Sequence, residues 1–179
     1  MEEVLVTAQK REQNLQEVLV SITTFNAAEL ETKGITTITE LEKSVPNTQF
    51  RASRATNSTL TAYIRGVGQQ DPLRGFEPGI GVYVDDVYYA RPQAAIMNVF
   101  DVERIEVLRG PQGTLYGKNT VGGAIKYITR KMSGDLEGEI TAATGAYGQQ
   151  DTIISAQIPI IDHQLYIAVA IALMEHESA

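Results

Sequence analysis

Residues 165–175 place the tightest constraint on what this chain can become. Leu165, Ile167, Val169, Ile171 and Leu173 alternate with Tyr166, Ala168, Ala170, Ala172 and Met174. Side chains on a strand point to opposite faces in turn, so this run makes one face of large aliphatics and one of small residues. Residues 152–161 repeat the pattern, with Ile154, Ala156, Ile158 and Ile160 opposing Ser155, Gln157 and Pro159, and 136–148 is a third strand-length run. Such alternation over about ten residues is the signature of a membrane-barrel strand, and a soluble sandwich gives the same pattern. Tyr147–Asp151 and Ile161–Gln164 read as the hairpin connections. Three strands cannot close a barrel, so if they cross a membrane, residue 179 is a truncation point. A helical anchor is not expected, because Ile158–Met174 is broken by Pro159 and by Asp162-His163-Gln164.

The region from Thr59 to Arg130 has a different character. Leu60–Ile64, Gly81–Val84, Arg104–Leu108 and Ala124–Ile128 are strand-like, and glycines recur between them from Gly66 to Gly123. Upstream, Asn26 with Glu29 and Thr37 with Glu40 carry the spacing of capped helix starts, closed by Gly34 and Pro46. The pattern predicts a compact α+β domain with short helices, followed by antiparallel strands. At the N-terminus, Glu2–Ala8 is a short β-prone run tethered by the polar stretch Gln9–Asn14, which reads as a flexible linker. It is either a frayed end or a strand that adds to a partner's sheet edge. Met1-Glu2-Glu3 lacks the basic and apolar run of a signal peptide, and neither end reads as a native boundary.

Charge and motif content narrow the function. Fifteen Lys and Arg stand against 22 Asp and Glu, a net charge of −7, which argues against nucleic acid as a partner. The absence of cysteine removes disulfides, thiolate metal sites and thiol catalysis. Gly110–Asn119 invites a phosphate-loop reading, but Gln112 stands where that loop needs glycine and Asn119 where it needs Ser or Thr. It reads instead as a turn-rich crossover between strands. Asp85 and Asp86 would face opposite sides of a strand, and His163 and His176 are too far apart to suggest a ligand pair. No metal, cofactor or catalytic residue is expected. In Asp101–Pro111, alternation puts Arg104, Glu106 and Leu108 on one face, where the charges need partners or water.

Several of these segments, in this order and spacing, resemble the TonB-dependent outer-membrane receptors, as the plug domain followed by the first barrel strands. They are Glu3–Ala8 followed by Gln9-Lys10-Arg11, which is similar to a TonB box; Tyr63-Ile64-Arg65-Gly66-Val67; Gly81-Val82-Tyr83-Val84-Asp85; Val102–Gly113 with Leu115-Tyr116-Gly117; and Gly122-Gly123-Ala124-Ile125. The resemblance implies an α+β plug with a small mixed sheet and short helices, followed by antiparallel strands of an incomplete transmembrane barrel, which when whole has roughly 22 strands and the plug in its lumen. It implies a division into box and linker over 1–13, plug over 14–131 and barrel strands over 132–179. The implied protein sits in the bacterial outer membrane with its N-terminus in the periplasm. It would gate energy-coupled uptake of a scarce nutrient such as an iron–siderophore complex, with no enzymatic step.

The implied partners are the TonB C-terminal domain, the rest of the barrel, outer-membrane lipid and a small-molecule nutrient. Glu3, Val4, Leu5, Val6, Thr7 and Ala8 would contact TonB. Arg65, Arg104, Glu106 and Arg109 would make charged contacts with the barrel wall. Gln69, Gln70, Asp71, Arg74, Phe76, Arg91 and Gln93 would face substrate, from the loops Gln69–Pro78 and Ala90–Asn98. The alternative is a soluble periplasmic or secreted β-rich interaction domain in which all strands pack as a sandwich.

Overall fold

A computed structural model describes residues 5–8, 10–11, 13–53, 56–70, 77–90, 102–145, 148, 150–161 and 164–175. The elements in chain order are β1 (Leu5–Val6), β2 (Gln13–Asn14), β3 (Ser21–Asn26), α1 (Ala27–Thr32), a 3-10 helix (Ile38–Lys43), β4 (Thr48–Ser53), β5 (Thr56–Ile64) and β6 (Val67–Gly68). They continue with β7 (Ile80–Val84), β8 (Val87–Tyr89), β9 (Val102–Arg109), α2 (Gly113–Tyr116) and β10 (Gly123–Thr129), then β11 (Glu137–Thr144), β12 (Gln150–Ile161) and β13 (Leu165–Glu175). They form two compact units, Met1–Thr129 and Arg130–Ala179.

The first unit is built on a five-stranded mixed sheet in the order β3-β9-β10-β7-β8, antiparallel throughout except for the β10–β7 pair. Alternation along β9 and β10 sorts its two faces. Ile105, Val107, Ile125 and Tyr127 join Phe25, Ile80 and Val82 on one face, packed against Leu30, Ile38, Leu41, Val45 and the β4–β5 side chains Phe50, Leu60 and Ile64. The opposite face carries Leu108, Ala124 and Tyr83, with Val6, Ala8 and Tyr116 packed on it. The charged residues Arg104, Glu106 and Lys126 share that second face by register.

Both capped starts form as the spacing predicts, in different helix types. Asn26 accepts the Glu29 amide at 2.8 Å while the Glu29 carboxylate takes the Asn26 amide at 3.0 Å, and Gly34 supplies the left-handed residue beyond α1. The Glu40 carboxylate takes the Thr36 and Thr37 amides, but Ile38–Lys43 winds as a 3-10 helix, with only Ile38 and Leu41 buried. The crossover 110–122 spends its amides on its own carbonyls. Gly110 donates to Gly122, Gln112 to Thr120, and Tyr116 to Gln112. A loop so bonded has no ring of free N–H groups for a phosphate.

Asp85 and Asp86 are not strand residues. Both have positive φ, +47° and +66°, and they form the two-residue turn between β7 and β8. The turn aims the two carboxylates at different partners, Thr129 and Lys126.

The second unit is a three-stranded antiparallel meander, β11-β12-β13. Ile140, Ile154 and Ile171 fall in register across it, as do Ile158 and Ile167, and each of these side chains is between 42% and 74% exposed. The register shifts at Pro159, which has no amide to give the ladder. On the small-residue face, Gln157 is buried and pins the preceding connection, bonding Ser133 and Asp135.

Gly123 holds β10 against β9. Its φ is +153°, and an added Cβ would stand 2.3 Å from the Leu108 carbonyl oxygen. Gly123→Ala should therefore destabilise the first unit by about 2 kcal/mol or more, whereas Gly113→Ala, in open space, should move it by about 0.5 kcal/mol at most. The urea midpoint of tyrosine fluorescence measures both; equal midpoints would contradict the packing described.

Candidate functional site

The N-terminal segment is stowed on the charged face of the sheet. Leu5 pairs with Asn14 and Val6 with Gln13, so the polar stretch expected to be a free tether folds back as β2. Lys10, at φ +57°, donates its amide to Thr7 and turns the chain. Val6 and Ala8 are buried beside Leu108, Tyr116 and Ala124, with Leu15, Val18 and Ile22 at the margin. Burial of these side chains offsets the ordering entropy that a terminal strand would otherwise not recover.

Between those two apolar anchors, Thr7 is gripped on every polar atom. Its amide donates to Glu106 Oε1 at 2.8 Å. Lys126 Nζ donates to the Thr7 carbonyl and hydroxyl oxygens, both at 2.9 Å. Arg104 Nη2 reaches the same hydroxyl at 3.4 Å, and the Tyr116 hydroxyl donates to the Ala8 carbonyl at 2.8 Å. Glu106 and Lys126 are 0% and 1% exposed, so each needs a partner of opposite charge. Arg104 Nε bonds Glu106 Oε1 at 2.9 Å and its Nη1 contacts Glu103, while Lys126 pairs with Asp86 at 3.1 Å.

Tyr116 is held as a donor. Burial, with Asp86 and Glu106 nearby, pushes its phenol well above the ordinary tyrosine range. Burial and the Tyr88 phenol push Tyr83 up to about 12, and burial alone raises Tyr127. Tyr83 packs edge-on to Tyr116 with ring centroids 5.1 Å apart and donates to its carbonyl. A phenol whose folded pKa is raised favours the fold while neutral, so this contribution is complete below about pH 10 and is lost as pH rises through the folded value.

The structure gathers some of the sequence-derived residues and separates others. Thr7 bonds Glu106 and Arg104, whose side chains are engaged inside this unit, while Val6 and Ala8 pack beside them and Leu5 is exposed. Arg109, at the end of β9, has a buried Nε with no hydrogen bond among the described residues. Arg65 occupies the β5–β6 turn at φ +53°, exposed, with its guanidinium beside Gly110. Gln69 and Gln70 follow β6, with Gln70 exposed. Glu3, Val4, Asp71, Arg74, Phe76, Arg91, Gln93, His163 and His176 lie outside the described residues. Sequence reasoning gave Lys126 and Tyr116 no role and set Asp86 aside as a strand residue. A lysine inside the apolar run Ala124–Ile128 was the available signal, because a charge in a buried strand must have a partner.

Two outcomes check this geometry. Thr7→Val removes the hydroxyl that Lys126 and Arg104 share, and should speed amide exchange over residues 5–8 about tenfold while leaving the urea midpoint unchanged. In an ultraviolet titration, Tyr83, Tyr116 and Tyr127 should ionise last, with Tyr116→Phe removing one late step; simultaneous ionisation of all tyrosines near about pH 10 would contradict the burial.

Comparison with known proteins places this arrangement. Residues 14–124 match the TonB-dependent Receptor Plug Domain family, a match that begins beyond the stowed segment. The pesticin receptor of Yersinia pestis is 32% identical over 156 residues, 85% of this chain and 22% of the receptor. The vitamin B12 transporter BtuB of Vibrio vulnificus is 29% identical over 126 residues, 70% of this chain and 20% of the transporter. The ferric yersiniabactin uptake receptor FyuA from Yersinia pestis superposes with a TM-score of 0.75 at 30% identity, covering 86% of this chain and 24% of that one. The ferripyoverdine receptor of Pseudomonas aeruginosa, at 17% identity, shares the fold with a TM-score of 0.77 over 98% of this chain and 23% of its own. The chain thus spans about a fifth to a quarter of the length of these relatives. The mixed sheet with short helices is that of the TonB-dependent receptor plug domain, the antiparallel strands after it are shared with the superposed receptor structures, and this chain belongs to that family.

Proposed function

We propose that this chain is the plug and first barrel strands of an outer-membrane receptor that gates energy-coupled uptake of a scarce nutrient. The observation that carries the reading is the stowed segment: Leu5–Ala8, which begins with the short strand β1 and is held by breakable polar bonds, is a handle that a partner can grasp. The TonB C-terminal domain would pair with it from the periplasm by strand addition, and load applied there would rearrange the plug. Relatives described as a ferric yersiniabactin uptake receptor and a vitamin B12 transporter support an iron chelate or a cobalamin-sized cargo.

The remaining assignments follow from placement. Residues 1–13 are the box and its tether, 14–131 the plug and 132–179 the opening barrel strands, whose half-exposed aliphatic face suits outer-membrane lipid. Arg109, with its unbonded Nε, and the exposed Arg65 are the plug's contacts with the barrel wall. Arg104 and Glu106 reach that wall only through the cluster they form around Thr7. Gln69 and Gln70 stand at the start of the loop proposed to meet substrate. The protein binds and gates; nothing in the cluster is arranged as a nucleophile with a base.

Val6→Pro removes a backbone donor from the segment, and should weaken binding to a TonB C-terminal domain about tenfold or more by calorimetry. Unchanged affinity would contradict the docking role.

A further inference from the structure

The Lys126 ammonium donates to the Thr7 carbonyl and the Thr7 hydroxyl, both at 2.9 Å, and forms an ion pair with Asp86 Oδ1 at 3.1 Å. A fourth acceptor stands just out of reach. Glu106 Oε2 is buried with no hydrogen bond, 3.9 Å from Lys126 Nζ. A buried carboxylate oxygen without a donor is a costly arrangement, and the ammonium 3.9 Å away would move to it unless held elsewhere.

Asp86 is the group that holds it. The residue occupies a turn whose two positions both have positive φ, where Asn-Gly is the unstrained choice. Asp85 ties the same turn to β10 by accepting from the Thr129 amide and hydroxyl at 2.9 and 2.7 Å. Two adjacent carboxylates in a strained, half-exposed turn bring like charges together and serve no packing purpose. With Asp85 spent on Thr129, Asp86 is left to face a lysine that is 1% exposed.

We propose that Asp86 is a positioning residue that selects between two states of Lys126. With Asp86 in place, the ammonium is drawn away from Glu106 and onto Thr7, and the N-terminal segment is held. When the β7–β8 turn shifts and Asp86 withdraws, Lys126 swings to Glu106 Oε2, the Thr7 carbonyl and hydroxyl lose the ammonium, and the segment is released. The strands flanking the turn run up to Glu77–Gly79 and Tyr89–Ala90, the margins of the two loops proposed to face substrate, so the hairpin connects that end of the plug to the handle. The release role rests on the function proposed above; the clamp itself does not.

Asp86→Asn and Asp86→Gly in the 179-residue chain, kept in detergent, test this. Both replacements suit positive φ better than aspartate, so a purely structural turn residue would leave the segment as protected as before, or more so. The clamp predicts the opposite: hydrogen exchange over residues 5–8 accelerates about fivefold in both variants, with exchange across β7 and β10 unchanged. In a Lys126→Met background the same substitutions should have no further effect. Unchanged exchange in both variants, or equal acceleration in the Lys126→Met background, overturns the clamp. Binding of the TonB C-terminal domain separates the two readings. Affinity raised alongside exchange supports both, whereas faster exchange at constant affinity supports the clamp and removes the proposed partner.

Discussion

A buried carboxylate facing a buried ammonium, Glu106 against Lys126, is the constraint on which the rest of the first unit turns. Neither side chain can reach water, and the two are too far apart to satisfy each other directly. Their bonding is completed by Thr7 from the N-terminal segment, by Arg104 on the same strand as Glu106, and by Asp86 from a neighbouring hairpin turn. Such a cluster adds little net stability compared with an apolar core, but it specifies one arrangement, because removing a partner leaves a charge uncompensated. The segment is therefore placed by the needs of the charges beneath it, with Val6 and Ala8 acting as apolar pegs on either side.

The sheet divides its labour by face. One side carries the apolar core formed with α1, the 3-10 helix and the β4–β5 hairpin. The other mixes aromatic and charged groups and carries the handle. Pulling on residues 5–8 breaks hydrogen bonds and two small side-chain contacts without opening the main core, which lies across the sheet. Under the function proposed here, this separation lets the segment yield to load while the core stays closed, since stability within one domain is distributed unevenly.

Much of this was legible before any coordinates. The capping residues Asn26 and Glu29, the strands around Ile105 and Ile125 and the alternation in 165–175 are local signals, and local signals survive folding. The edge strand β3 and the strand β4 escaped notice because Ser21–Asn26 and Thr48–Ser53 are mostly polar and only partly buried. Asp85-Asp86 was read as strand because aspartate carries no turn signature as strong as glycine, and its positive φ is a tertiary outcome. The polar run Gln9–Asn14 looked like a tether because its pairing with Leu5 and Val6 depends on a surface assembled from residues a hundred positions away. Lys126 was in plain view, yet its partner across the ladder is defined by register, which composition does not encode.

The central claim is that the N-terminal segment rests on this cluster and leaves it under a partner's hold. The chain has no native cysteine, so spin labels at Leu5→Cys and Val87→Cys, both on exposed positions of the same unit, report that distance cleanly. The account predicts one narrow distance distribution for the chain alone and a broad one after a TonB C-terminal domain is added. A broad distribution before any partner is present would contradict it.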